Sequence, residues 1–321
     1  MRGARATYLR AIATRVLAGV PVFFLVTLAA TALTDLMPGS AAAAILGDAA
    51  TPDQIAALNA QYGYDKPLIA RYLDWLVRLV HGNLGTTLFD QQPVSQLLVQ
   101  RAAITFELAL IALALALVIA IPIALYTAMR PGGVVDNVLR AVSSVVLSIP
   151  SFVVVVVFSF LFAVTLRWLP AGGWVPPTEN LFKNLSFALL PVLCLGIYEM
   201  AFFYRIARTE FIATLQEDFI LVARAKGLPT SYILLRHALR PSLTSLLTFF
   251  GLSMGRLLGG SFIVETYFVV PGIGWTAINS VAVHDIASLQ GVLVLAVVVY
   301  IAIFILIDIG YAVIDPRVTV S

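Results

Sequence analysis

Long uncharged apolar stretches alternate with shorter polar connectors along the whole chain. Apolar residues run without a charge through 16–34, 108–126, 142–166, 185–198, 241–255 and 286–307. The fourth run extends past Glu199 to Tyr204, and the fifth past Arg256 to Val264. A helix crosses ~30 Å of hydrocarbon with ~20 apolar residues at ~1.5 Å per residue. These runs are apolar on every face rather than at alternate positions, so they predict spanning helices and not barrel strands. The expected fold is an all-α polytopic membrane protein with six spans.

Composition agrees with that solvent. The chain is 60% hydrophobic and only 12% charged, with a mean hydropathy of +0.97, whereas soluble domains carry roughly 25% charged residues. The net charge of +3 is small. There is no basic stripe interleaved with aromatics, so nucleic acid is not an expected partner. Cys194 is the single cysteine and sits in an apolar run, where it reads as a small core residue. His81, His237 and His284 lack metal-ligand spacing, and no cofactor motif is present. The apolar run at 16–34 follows Arg2, Arg5, Arg10 and Arg15, but it exceeds the roughly 7–15 residues of a signal peptide's apolar region and reads as a retained anchor.

An even number of spans puts both termini on one side. With that side cytoplasmic, 13 of the 20 Lys and Arg residues fall in inner segments and six in outer ones, in the sense of the positive-inside rule. Pro21, Pro122, Pro150 and Pro191 lie inside spans, where each either kinks its helix or is simply tolerated. Gly255 and Gly259 form a small-xxx-small pair that permits close helix contact.

Two connectors are more than links. The outer segment at 35–105 is punctuated by Pro and Gly, and residues 67–80 read as an amphipathic helix whose Tyr72 and Trp75 suit the membrane interface. The inner segment at 209–240 predicts a helix over 209–225, a break at 226–229 where Gly227 permits a left-handed cap, and a second short helix over 230–239. Such a pair is either a lever for another protein or a helix pair lying on the anionic leaflet.

The run DFILVARAKGL at 218–228, followed by RHALRP at 236–241, resembles the cytoplasmic loop of binding-protein-dependent ABC importer permeases, in particular the B-type permease of the dipeptide, oligopeptide and nickel family. Other pieces agree in order: LMPG at 36–39, HGNLGT at 81–86, QPVS at 92–95, LSIPSF at 147–152, WLP at 168–170, LLGG at 257–260, VE at 264–265, PGIG at 271–274 and DPRV at 315–318. The chain departs from the pattern in two places. Leu221, Val222 and Ala223 stand where the wider superfamily has Glu-Ala-Ala, and Ser245 stands where members often carry a second proline, which leaves the helix geometry there open.

The resemblance implies a type I importer permease with residues 1–36 as tail and first span, 37–104 as an extracytoplasmic cap, and 105–321 as the core. It implies half of a pore for small peptides in a bacterial plasma membrane, with nickel chelates, haem or another solute as alternative cargo. Implied partners are a second permease, two ATPases or one fused double ATPase, an extracytoplasmic binding protein, and membrane lipid. The residues expected to couple to the ATPase are Phe219, Ala223, Arg224, Ala225, Lys226, Gly227 and Leu228. Arg256, Glu265, Pro271 and Gly272 are candidate pathway or gating residues.

Arg256 is the one charge well inside a span, where it either lines the path and attracts a peptide carboxylate or braces the bundle and snorkels. Glu107, Glu199 and Asp308 read as span-end acids, which disfavours an ion-coupled carrier. No lysine follows a glycine, so no phosphate-binding loop of the Walker type is possible, and no catalytic set stands out. The chain is therefore not expected to be an enzyme.

Overall fold

The computed structural model describes residues 19–32, 50–63 and 65–314, together with Leu17, Ala42 and Leu46. The arginines of the N-terminal tail, LMPG at 36–39 and DPRV at 315–318 lie outside the described residues, as does the side chain of Asp308. The helices are α1 (Gly19–Ala32), α2 (Pro52–Tyr62), α3 (Leu68–Val80), α4 (Val94–Ala128), α5 (Val134–Ser148), α6 (Ser151–Thr165), α7 (Leu181–Leu215), α8 (Asp218–Ala225), α9 (Thr230–Tyr267), α10 (Ile273–Ala282) and α11 (Ile286–Ile314). Among the described residues the one extended pairing is an isolated bridge between Thr86 and Pro93.

Among the described residues four helices, α4, α7, α9 and α11, are long and apolar enough to cross a membrane. The first expected span is described only as α1. The third differs from expectation. Rather than one rod over 142–166, α5 and α6 meet at a bend of 101°. Ile149 is extended (ψ 130°) and Pro150 starts α6 (φ −59°, ψ 140°). A proline disfavours helical geometry in the residue before it and donates no hydrogen bond, so the chain turns there. The Tyr198 hydroxyl on α7 donates to the freed Ile149 carbonyl at 2.8 Å. Pro122 and Pro191, by contrast, sit inside unbroken helices.

At 35 residues each, α4 and α7 are ~52 Å long and overshoot the hydrocarbon. They are the centre of the fold and run in the same direction: Gly196 faces Ala112, and Arg208 reaches Asp136 just past the end of α4. Ala109, Ala112, Ala116, Ala120 and Ala124 are all buried on α4. Small residues on one face let two backbones approach closely without side-chain entropy loss. Between α9 and α11 the tight glycines are Gly251, against Ile307, and Gly255, against Tyr300. Gly259 has open space around it, so the close pair sits one turn earlier than the expected Gly255/Gly259.

Within the cap segment α2 begins with a complete capping box: Thr51 Oγ1 accepts from the Gln54 amide, and Gln54 Oε1 accepts from the Thr51 amide. Helix α3 does not present Tyr72 and Trp75 to the membrane interface. Both are buried against α1, where Tyr72 Oη meets Thr27 Oγ1 at 2.9 Å and Trp75 stacks on Phe23. The exposed apolar face of α3 is Ile69, Leu73, Val77 and Val80. Lys66, through its hydrogen bond and then its charge, holds the exposed Asp74 carboxyl below its usual range. The helix of the second span also starts earlier than read, at Val94, within the numbers assigned to the cap.

Candidate functional site

One end of the bundle carries the loop at 216–229. The expected helix over 209–225 is two pieces, because α7 continues to Leu215 and α8 starts afresh at Asp218. Glu217 is extended (φ −69°, ψ 147°) and Asp218 lies in the first turn, where acidic side chains favour a helix start. Helix α8 ends as the glycine rule requires. Gly227 adopts φ 73°, its amide bonds the Arg224 carbonyl at 2.9 Å, and the Leu228 amide reaches back to the Ala223 carbonyl at 3.2 Å. Those two bonds define a Schellman motif and satisfy carbonyls a helix end would otherwise leave bare.

Residues 230–239 are not a separate helix but the first turns of α9, with a π-helical stretch at Ile233–Ala238. It lies just before Pro241, which has no amide for the carbonyl of His237, and a wider turn relieves that crowding. The helix then passes Ser245 unbroken.

The two sides of α8 differ sharply. Ile220 and Ala223 are buried with Ile233 and Ala238, which docks α8 on the base of α9. Phe219, Leu221 and Val222 are exposed, together with Arg224, Ala225, Lys226 and Gly227. Leu228 is half-buried beneath the cap. Of the expected coupling residues, Ala223 therefore faces the body of the protein and the others lie at or near the surface. Close by, Asp136 is buried, pairs with Arg208 through Nε and Nη2, and accepts from the Gly132 amide at 2.8 Å. No local pattern announces this pair, whose members stand 72 residues apart.

The opposite end holds a buried carboxylate. Glu265 Oε1 accepts from Thr105 Oγ1 at 2.8 Å and Ser261 Oγ at 2.7 Å, and Oε2 accepts from the Trp275 amide at 3.0 Å. Thr105 Oγ1 in turn accepts from the Ile273 amide at 2.8 Å. Glu265 and Thr105 thus cap the first turn of α10, which leaves its amides otherwise unpaired, and lock α4, α9 and α10 together. A Cβ on Gly272 would lie 2.5 Å from both the Glu265 carboxyl and Thr105 Oγ1. One on Gly274 would lie 2.7 Å from the Phe262 backbone. Arg101 closes the group, donating to the Pro271 carbonyl at 3.2 Å and lying over the Trp275 ring. Glu265, Pro271 and Gly272, singled out from the sequence, are brought together here; Thr105 and Arg101 were not anticipated.

Arg256 lies elsewhere, across from Glu199. Its Nη2 contacts Glu199 Oε1 at 2.8 Å and Oε2 at 2.9 Å, and Ser253 Oγ at 3.1 Å, while the guanidinium sits over the Phe202 ring. Glu199 is buried near the middle of α7, not at a span end as read from sequence. The apolar run reaches only Tyr204, which puts Glu199 near its end, whereas the helix starts at Leu181 and continues to Leu215. The pair borders a cavity of about 250 Å³ lined also by Leu147 and Ser151 from the bend and by Cys194, Tyr198 and Val264.

Residues 120–320 match the family described as "Binding-protein-dependent transport system inner membrane component", and residues 8–109 match its N-terminal companion. A putative peptide transport system permease protein of Brucella abortus is 32% identical, over 95% of this chain and 97% of its own. A probable peptide ABC transporter permease protein of Sinorhizobium fredii is 33% identical over 96% of each chain. The oligopeptide transport system permease protein AppB of Bacillus subtilis is 30% identical, over 95% of this chain and 97% of its own. Among solved structures, a chain of the inward-facing MetNI methionine ABC transporter aligns with a TM-score of 0.56 at 20% identity, over 69% of this chain and 97% of that one. At that identity the likeness speaks for the fold.

Proposed function

Since the chain belongs to the binding-protein-dependent transport system inner-membrane family, it is a multi-pass permease subunit of a bacterial ABC importer, and we propose that it forms half of a pore for small peptides. As a permease it is not an enzyme; ATP is hydrolysed by partner subunits, and a substrate-binding protein delivers the cargo. The peptide class rests on relatives named for peptide or oligopeptide transport that align over nearly their whole length. In this reading the pore is completed by a second, similar permease, and two ATPases or one fused double ATPase power it. Both termini and the loop at 216–229 face the cytoplasm.

The observation that carries the reading is the two-sided α8. A short helix fixed to the base of α9 by Ile220 and Ala223, with Phe219, Val222, Arg224 and Lys226 on its free side, has the form of a lever set in another protein's groove. Residues buried on the fixed side transmit displacement; apolar and basic residues on the free side receive it. At the opposite end the cap, held on α1 by Tyr72 and Trp75, is the proposed seat of the binding protein. Arg256 is the proposed pathway residue, and the Glu265 cluster is the fixed frame against which a gate moves. The test is to purify the tagged chain from its own membranes and reconstitute it. Co-purification of an ATPase, with ATP-dependent peptide uptake, is the expected result. Peptide uptake by this chain alone, without ATP or an ATPase, overturns the reading.

A further inference from the structure

The Arg256 guanidinium is only half used. All of its hydrogen bonds, to Glu199 Oε1, Glu199 Oε2 and Ser253 Oγ, come from Nη2. Nε and Nη1 have no hydrogen-bond partner among the described residues, and about half of the side chain, 51%, is exposed. Glu199 is held in place on the far side, with only 2% exposed. A bracing ion pair with no further task is normally sealed on both members, since an arginine edge left open in an apolar wall loses its hydration and gains nothing. Arg256 lines a cavity of about 250 Å³ whose remaining lining is mostly apolar.

A second set of donors borders the same cavity. The bend at Ile149–Pro150 ends one helix and starts another, and Ser151, the first residue of α6, lines the cavity. Its hydroxyl has no partner among the described residues. Helix α6 therefore brings its first turn, whose leading amides have no partner within the helix, to the space beside Arg256, next to the last turn of α5. Broken membrane helices use such half-helix starts to hold anionic groups of cargo.

We propose that this cavity is a subsite for the carboxylate-bearing end of a transported peptide. Glu199 stays on Nη2 and fixes the guanidinium plane against Phe202; the incoming carboxylate takes Nε and Nη1, with Ser151 and the start of α6 as further donors. Two carboxylates on one guanidinium repel each other, and donors from the Ser151 hydroxyl and the first turn of α6 offset that repulsion. The apolar remainder, Leu147, Leu195, Leu257 and Val264, accommodates one residue-sized side chain. This deepens the peptide-import reading and rests on it.

The probe is a tripeptide, Ala-Ala-Leu, as free acid and as C-terminal amide, with the N-acetylated acid as control. Uptake is measured with the assembled importer in proteoliposomes. The quantity compared is the acid-to-amide uptake ratio, because any preference of the binding protein is common to all permease variants and cancels. Wild type should favour the acid. Arg256→Lys keeps a charge for Glu199 but loses the planar fork, and Arg256→Gln combined with Glu199→Gln removes both charges together. Each should lower the ratio about ten-fold, the size of a charge-assisted hydrogen bond, and leave the response to N-acetylation unchanged. Ser151→Ala should lower it two- to three-fold. If the double variant does not assemble, Arg256→Lys and Ser151→Ala decide. A ratio unaltered in Arg256→Lys overturns the subsite while peptide import stands. Failure of the wild-type complex to import either peptide defeats the import reading itself.

Discussion

The two ends of the bundle each depend on a glycine, and for opposite reasons. Gly227 is needed for its backbone angle: φ is 73°, yet a Cβ added there would meet nothing within 4 Å. Gly272 has an ordinary φ of −92° and is needed for space, since its Cβ would strike the Glu265 carboxyl and Thr105. The first constraint is local: it acts on the backbone at the end of α8 and on no side chain packed around it, so α8 keeps only its own seat on α9, through Ile220 and Ala223. The second is shared by α4, α9 and α10, so no member can shift alone. A transporter driven from one end needs that contrast, a part that moves on command and a frame that does not yield.

The largest effect that would sharpen this contrast is expected from Gly272→Ala. The added methyl must push apart a buried carboxylate and its donors, a loss of about 3 kcal/mol or more. Thermal unfolding of the detergent-solubilised protein should shift strongly downward and the folded yield should drop. Unaltered stability would mean the frame is soft and the contrast false. A smaller effect, about 1–2 kcal/mol and confined to the loop, is expected from Gly227→Val, with Gly227→Ala at the lower end of that range. There the protein should still insert, and binding-protein capture should survive. Association with the ATPases and uptake should fall together. If both stay at wild-type levels in the valine variant, α8 is not a lever. The smallest effect on stability, within about 0.5 kcal/mol, belongs to replacing Arg224 and Lys226 by Ala, since both are exposed. ATPase pull-down should nevertheless weaken, and the residual binding should lose part of its salt dependence. Equal salt dependence in the variant would assign these charges to lipid phosphates instead.

How legible each part was follows from the range of the interaction that makes it. The left-handed cap at Gly227 could be read from KGLP, because a Schellman motif is written in consecutive residues. The spans could be read because a bilayer imposes a minimum apolar length. The bend at Pro150 was visible as a proline but not as 101°, since Pro122 and Pro191 carry the same local signal and leave their helices intact. What separates them is tertiary, with Tyr198 on α7 receiving the freed carbonyl of Ile149. Glu199 was misplaced for a related reason, as hydropathy follows the run only to Tyr204 while the helix goes on to Leu215, and its partner, Arg256, stands 57 residues away. Thr105, paired with Glu265 across 160 positions, left no trace at all. The amphipathic pattern of α3 was read correctly, while the identity of what covers Tyr72 and Trp75 depends on α1.

The parallel course of α4 and α7 bears on how the protein is made. Gly196 comes to rest on Ala112, about 80 residues upstream, so at ~5–20 residues per second α4 waits roughly 4–16 s in the bilayer for its partner. Throughout that interval its row of alanines faces lipid. Alanine suits such a wait, because lipid tails solvate it about as well as another helix does and no polar group is left unpaired. The intervening bend of α5 and α6 arrives first and must leave the alanine face open, and α7 then closes on it late. Biogenesis of this bundle is accordingly ordered by arrival of the fourth long apolar segment, and a chain interrupted before Leu181 would sit inserted in the membrane with its central seam unsealed.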